Sequence, residues 1–172
     1  MTNHRGFRAR PLHALAAALI IAASLLAAAP SASASGPYCD HDSDFNACLW
    51  LDWNGTLSPS YWTAQVGIDV HLPEQYGREI IVCGNSDFQA SLWGDDGGGD
   101  DDDFIRNLDL KPGWPAPGTD GIGAEFIQQY VDQSDLDEDD GQDEIYARIS
   151  YHDCHLPHSR FEFRSGTFRA NF

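Results

Sequence analysis

The sequence predicts an all-β fold, an antiparallel β-sandwich of about eight strands with acidic loops and two disulfides. Apolar and polar residues alternate over 61–72, a period of two that is typical of a long strand with one buried face. No stretch keeps the helical period of 3.6 residues for three turns. Segments rich in Gly and Pro, such as 54–60 and 111–121, separate the apolar runs, as turns do in a sandwich or a barrel.

The other strand candidates are shorter. Residues 144–151 alternate in the same way as 61–72. In the last candidate, 161–172, the alternation changes phase at Ser165, and the adjacent Gly166 predicts a β-bulge there. A short helix within 122–133 stays an open alternative. The remaining candidates are 48–53, 79–83, 88–93, 104–110 and 124–131.

The first 34 residues have the organisation of a secretory signal peptide. Three arginines precede an apolar run at 14–29, interrupted only by Ser24, and Ala32-Ser33-Ala34 forms a small-residue cleavage site. The apolar run is shorter than the roughly 20 residues that a transmembrane helix needs. We therefore expect cleavage near Ala34, a single secreted domain over 35–172, and no transmembrane segment in it.

The predicted mature chain is strongly acidic. It keeps seven of the ten Lys and Arg and all 27 Asp and Glu, which gives a net charge of −20. A surface of that charge repels phosphate backbones, so nucleic acid is excluded as a partner.

The four cysteines, Cys39, Cys48, Cys83 and Cys154, all follow the predicted cleavage site. An even number in an exported chain indicates two disulfides. We favour Cys39–Cys48, which closes a short loop, together with Cys83–Cys154; the two other pairings stay open.

Most of the acidic residues fall into three groups, at 40–44, 95–103 and 132–144. Ca²⁺ binds six to eight oxygen ligands, and an alternating Asp-x-Asp-x-Asp spacing directs carboxylates to one side of a turning loop. This spacing occurs in the first group, at 40–44, and in the third, at 135–139. A Ca²⁺ site is predicted, with its ligands in the second and third groups; solvated surface loops are the alternative. The predicted metal ligands are Asp95, Asp96, Asp100, Asp102, Asp103, Asp135, Asp137, Asp139 and Asp143.

The stretch 92–110 resembles the third calcium loop of C2 domains, in which a strand ending in an aromatic residue leads into spaced aspartates and then Asp-Phe-Ile, here 103–105. The stretch 52–66 is similar to the first C2 loop, with its Asn-Gly pair. This resemblance implies a C2-type calcium-binding β-sandwich with Asp96 and Asp103 as central ligands.

The sequence contains neither a G-x-S-x-G nor an H-E-x-x-H motif, and we assign no catalytic residue. Trp62 and Trp50 are predicted in the core, whereas Trp114 lies in a proline-rich loop and is the predicted partner-binding residue. The leading hypothesis is a secreted, non-catalytic, Ca²⁺-binding module for an extracellular glycan or protein. An inhibitor of an extracellular hydrolase, and a small secreted hydrolase with an unrecognised site, are the alternatives.

Overall fold

The computed structural model describes residues 36–54, 61–83, 87–95, 102–137, 142–156 and 159–172. Within these ranges the chain forms ten strands and one α-helix, so the all-β prediction is confirmed and the strand count is ten rather than eight. The predicted signal peptide, 1–34, lies outside the described residues. The strands are β1 (Tyr38–His41), β2 (Phe45–Asn54), β3 (Tyr61–His71), β4 (Gln89–Gly94), β5 (Asp103–Leu110), β6 (Ala116–Pro117), β7 (Gly121–Val131), β8 (Asp143–His152), β9 (Arg160–Arg164) and β10 (Phe168–Ala170).

The strands follow the order β1-β2-β3-β7-β5-β4-β8-β10, with β6 on β7 and β9 on β8, and all pairs are antiparallel. We call β1, β2, β3, β6 and β7 the first sheet, and β4, β5, β8, β9 and β10 the second sheet. Strand β5 joins them, because it pairs with β4 over most of its length and with β7 only at Asp109 and Leu110. The described residues belong to one compact unit.

The alternation that predicted the strands also builds the core. Both sheets contribute their inward residues to one apolar cluster, which is why a period of two in the sequence appears as one buried face in the fold. Aromatic rings cross between the sheets, with Phe45 4.9 Å from Phe163 and Trp62 6.1 Å from Phe168 between ring centroids. Trp62 is buried, as predicted.

The predicted strand at 79–83 is wrong, because these residues belong to the helix α1 (Glu74–Val82) and the turn after it. The β-branched run at 80–82 favours a strand locally. Polar residues before that run instead form helical i,i+4 pairs, Arg78 with Glu74 and Gln75 with Glu79. Ile80 is buried in the core, so tertiary packing outweighs the local β-propensity.

Two further expectations concern chain irregularities. Residues 121–131 are strand throughout, and the helical alternative within 122–133 reduces to one 3-10 turn that begins at Gln133. At the predicted bulge, β9 ends and β10 begins, and both pair with β8. Between them three residues, 165–167, lie opposite two residues of β8, the excess of one residue that defines a β-bulge.

Both favoured disulfides are present. Cys39–Cys48 links β1 to β2 with 4.0 Å between Cα atoms, and Cys83–Cys154 links the end of α1 to the turn after β8 with 6.4 Å. No helix in the described ranges has the length and apolar character needed to cross a membrane.

Candidate functional site

The outer face of the first sheet carries a groove. On β2, the inward positions are Ala47, Leu49 and Leu51, so the side chain of Trp50 lies on the opposite face. The prediction of Trp50 as a core residue is therefore wrong. The groove has a volume of about 280 Å³ and is lined by Trp50, Asp52, Gln65, Val66, Gly67, Glu125 and Phe126.

Gly67 makes room for the Trp50 side chain. A Cβ atom at Gly67 would lie 3.4 Å from Cζ3 and 3.6 Å from Cη2 of Trp50, so the six-membered ring of the indole covers the glycine. A glycine inside a strand loses packing and backbone entropy, and it often marks close approach by another group. Here the approaching group is the tryptophan that borders the groove.

Polar groups surround this ring. Gln65 is the cross-strand partner of Trp50, and Glu125 is the partner of Gly67. Lys111 donates a hydrogen bond from Nζ to Oε2 of Glu125 at 2.5 Å. Asp52 is exposed at the other end of the groove. The groove thus offers an aromatic surface, an amide and two carboxylates, a combination that suits a polar ligand with an apolar side.

Trp114, the predicted partner-binding residue, lies over the same sheet. A Cβ atom at Gly123 of β7 would lie 2.9 Å from Cζ3 of Trp114 and 3.0 Å from Oδ1 of Asp69. The Trp114–Pro115 peptide bond is cis. The contact with Gly123 shows that the indole of Trp114 packs onto the sheet, where it remains partly exposed.

Asp69 is the titratable group of this face with a shifted pKa. Burial raises the pKa of its carboxyl above the ordinary value of 3.8, and the negative charges of Asp120 and Glu125 raise it further. His71 opposes this shift. The direction means that Asp69 holds its proton to higher pH than an aspartate with the ordinary pKa does, although part of its surface is exposed.

The acid-rich stretch after β4 contacts arginines of the second sheet. Asp95 accepts a hydrogen bond from the Arg164 guanidinium, and Asp102 lies 3.4 Å from Nη2 of Arg148. The Tyr146 hydroxyl donates to Oδ2 of Asp102 at 2.5 Å. These contacts neutralise part of the carboxylate charge that the sequence places here.

Aromatic rings hold the two arginines in place. The Arg148 guanidinium carbon lies 4.1 Å from the Trp93 ring centroid, and that of Arg164 lies 3.5 Å from the Tyr146 centroid. Cation–π contacts of this kind contribute about 0.5–2 kcal/mol each. Burial is the main reason that the pKa of the Tyr146 hydroxyl is raised, followed by its hydrogen bond to Asp102. The cluster connects β4, β8 and β9 to the acid-rich stretch.

Two of the other predicted metal ligands, Asp103 and Asp143, lie at the starts of β5 and β8, and both strands pair with the end of β4 next to Asp95. Asp143 is buried, Asp135 forms an ion pair with Arg106 at 2.7 Å, and Asp137 is exposed. Asp96, Asp100 and Asp139 lie outside the described residues. Calcium binding by these loops stays a prediction.

Cys83, Cys154 and His155 are the one described group of His, Cys, Asp or Glu whose ligand atoms lie within 4.8 Å of one another. The two sulfurs of that group are joined in the disulfide. They therefore cannot act as thiolate ligands, which a metal site built on cysteine requires.

No family model, curated protein or solved structure matches this chain. The C2 resemblance accordingly stays a prediction, and the functional argument depends on the geometry of the site.

Proposed function

We propose that this chain is an exported, non-catalytic module that binds a glycan in the groove beside Trp50. The observation that carries the proposal is the outward tryptophan over Gly67, bordered by Gln65 and Glu125. A sugar ring has an apolar face of C–H groups and a rim of hydroxyls. The indole complements the face, and the carboxylate and amide oxygens accept hydrogen bonds from the rim.

The two disulfides support the exported part of the proposal. Disulfides persist in oxidising compartments and are rare in the cytosol, where thiols are kept reduced. The predicted signal peptide at 1–34 would bring the chain to such a compartment.

The test is calorimetric titration of the purified mature chain with soluble neutral oligosaccharides. Trp50→Ala should weaken binding by about tenfold or more, which corresponds to about 1.4 kcal/mol of lost ring contact. The control is Phe104→Ala, which removes an exposed aromatic ring from the second sheet and should leave affinity unchanged. Equal affinity of Trp50→Ala and the parent chain would contradict the proposal.

A glycan hydrolase is the second candidate, and Asp69 is the observation that favours it. A carboxyl with a raised pKa can act as a general acid, while Glu125, in contact with Lys111, would supply the second carboxylate. This candidate predicts release of reducing ends from a polysaccharide and its loss in Asp69→Asn with binding retained. Binding without release of reducing ends by the parent chain would exclude it.

The inhibitor alternative requires loop 112–118 to project into the cleft of an enzyme. Trp114 of that loop covers Gly123 instead of extending from the surface, so we do not propose inhibition.

A further inference from the structure

Trp50 and Trp114 lie on the same outer face and contact it in the same way. Each covers a glycine with the Cζ3 edge of its indole, Trp50 at Gly67 and Trp114 at Gly123. On the neighbouring strands β3 and β7, the partner of Gly67 is Glu125 and the partner of Gly123 is Asp69. Each tryptophan therefore has one carboxylate beside the glycine that it covers.

Sheet geometry gives the separation of the two glycines that the rings cover. Gly123 is two residues from Glu125 along β7, and Glu125 is one strand away from Gly67. With a rise of about 3.4 Å per residue and a strand spacing of about 4.8 Å, the two glycines lie about 8 Å apart. That distance exceeds the width of one sugar ring. A single monosaccharide cannot stack on both tryptophans.

We propose that Trp50 and Trp114 form two subsites for one uncharged polysaccharide chain, which crosses β3 and β7 with one sugar ring at each tryptophan. This inference rests on the proposed function, since it extends the groove at Trp50 to a second site. Glu125 and Gln65 would accept hydrogen bonds at the first subsite, and Asp69 at the second.

The charge of the face selects an uncharged chain. Four carboxylates lie on or beside it. Lys111 is the basic residue described on this face, and it already forms an ion pair with Glu125. Sulfate or carboxylate groups on a glycan would meet uncompensated negative charge, which costs free energy. The hydroxyl groups of an uncharged glycan, in contrast, can donate hydrogen bonds to these carboxylates. The carboxylates are Asp52, Asp69, Asp120 and Glu125.

The experiment measures affinity against chain length. Neutral oligosaccharides of one to six residues, prepared from cellulose, xylan and mannan, are titrated into the parent mature chain by calorimetry. For the series that binds, affinity should rise at least tenfold once the chain is long enough to reach both tryptophans, and then level off. A carboxymethylated chain of the same backbone should bind at least tenfold more weakly.

Two variants separate this inference from the proposed function. Trp114→Ala should remove the gain with length and leave the affinity for the shortest bound oligosaccharide unchanged. Trp50→Ala should weaken binding at every length, and Phe104→Ala is the control on the second sheet. If Trp114→Ala keeps the full length dependence, the two-subsite inference is wrong while the proposed function stands. If none of the series binds, the proposed function itself is overturned.

Discussion

The two disulfides should contribute unequally to stability, because they close loops of very different length. Cys39–Cys48 spans 9 residues and Cys83–Cys154 spans 71. A cross-link stabilises mainly by lowering the entropy of the unfolded chain, and this effect grows with the logarithm of loop length. For these separations the relation gives about 2.6 kcal/mol for the short loop and about 4.4 kcal/mol for the long one.

The perturbation is the paired replacement of each bridge by alanine, Cys39→Ala with Cys48→Ala and Cys83→Ala with Cys154→Ala. At about 3 °C per kcal/mol for a chain of this size, the melting temperature should fall by about 8 °C and about 13 °C. Urea unfolding, followed by circular dichroism, gives the two free energies directly. If the Cys39–Cys48 variant loses as much stability as the other or more, chain entropy is not the dominant contribution and the reasoning is refuted.

Four further predictions concern two glycines, Asp69 and the acidic loops. Gly121→Ala should lower the free energy of unfolding by more than about 3 kcal/mol, because its φ is +148° and a Cβ would overlap the Val70 carbonyl oxygen. At Gly113 the φ is +92°, but an added Cβ would have no atom within 4 Å. Gly113→Ala should therefore lower the free energy of unfolding by only about 1 kcal/mol, and thermal melts of both variants measure the difference. Asp69→Asn should stabilise the fold at neutral pH. A carboxyl whose folded pKa is raised contributes stability in acid that is lost as pH rises, so the gain should disappear below the ordinary pKa of 3.8 in urea titrations. If the acidic loops bind Ca²⁺, millimolar CaCl₂ should raise the melting temperature beyond the effect of NaCl at equal ionic strength, because Ca²⁺ at 100 times its Kd adds about 2.7 kcal/mol to the free energy of unfolding. Equal shifts would contradict calcium binding.

The alternation of apolar and polar residues was sufficient to predict the long strands. Strands β3 and β8 were predicted because a period of two determines which side chains are buried. The end of helix α1 was predicted as part of a strand at 79–83, because its last residues are β-branched and the burial of Ile80 cannot be read from its neighbours.

The candidate site was only half predictable. The proline-rich loop singled out Trp114, but Trp50 was assigned to the core, although Ala47, Leu49 and Leu51 already leave it on the outer face. Gly67, a glycine inside the clearly alternating strand β3, also indicates that another group packs closely against the sheet there.

The contacts of the acid-rich stretch could not be predicted from local spacing. Asp102 accepts a hydrogen bond from Tyr146, which is 44 residues away in the sequence, and Asp95 accepts one from Arg164, which is 69 residues away. Such contacts come from the strand order of the second sheet, which no short motif encodes.

The bulge at 165–167 has a consequence for how molecules of this protein meet one another. Gly166 lies against the backbone of Cys39, where a Cβ would come within 2.8 Å of the carbonyl oxygen, and Tyr38 packs edge-on against Phe168. The first and last strands of the sheet order are thus neighbours in space. Free strand edges can pair with strands from other molecules and start aggregation, so strand edges that are covered by their own chain protect the protein against intermolecular pairing. A larger residue at 166 would push these edges apart and expose both to intermolecular pairing.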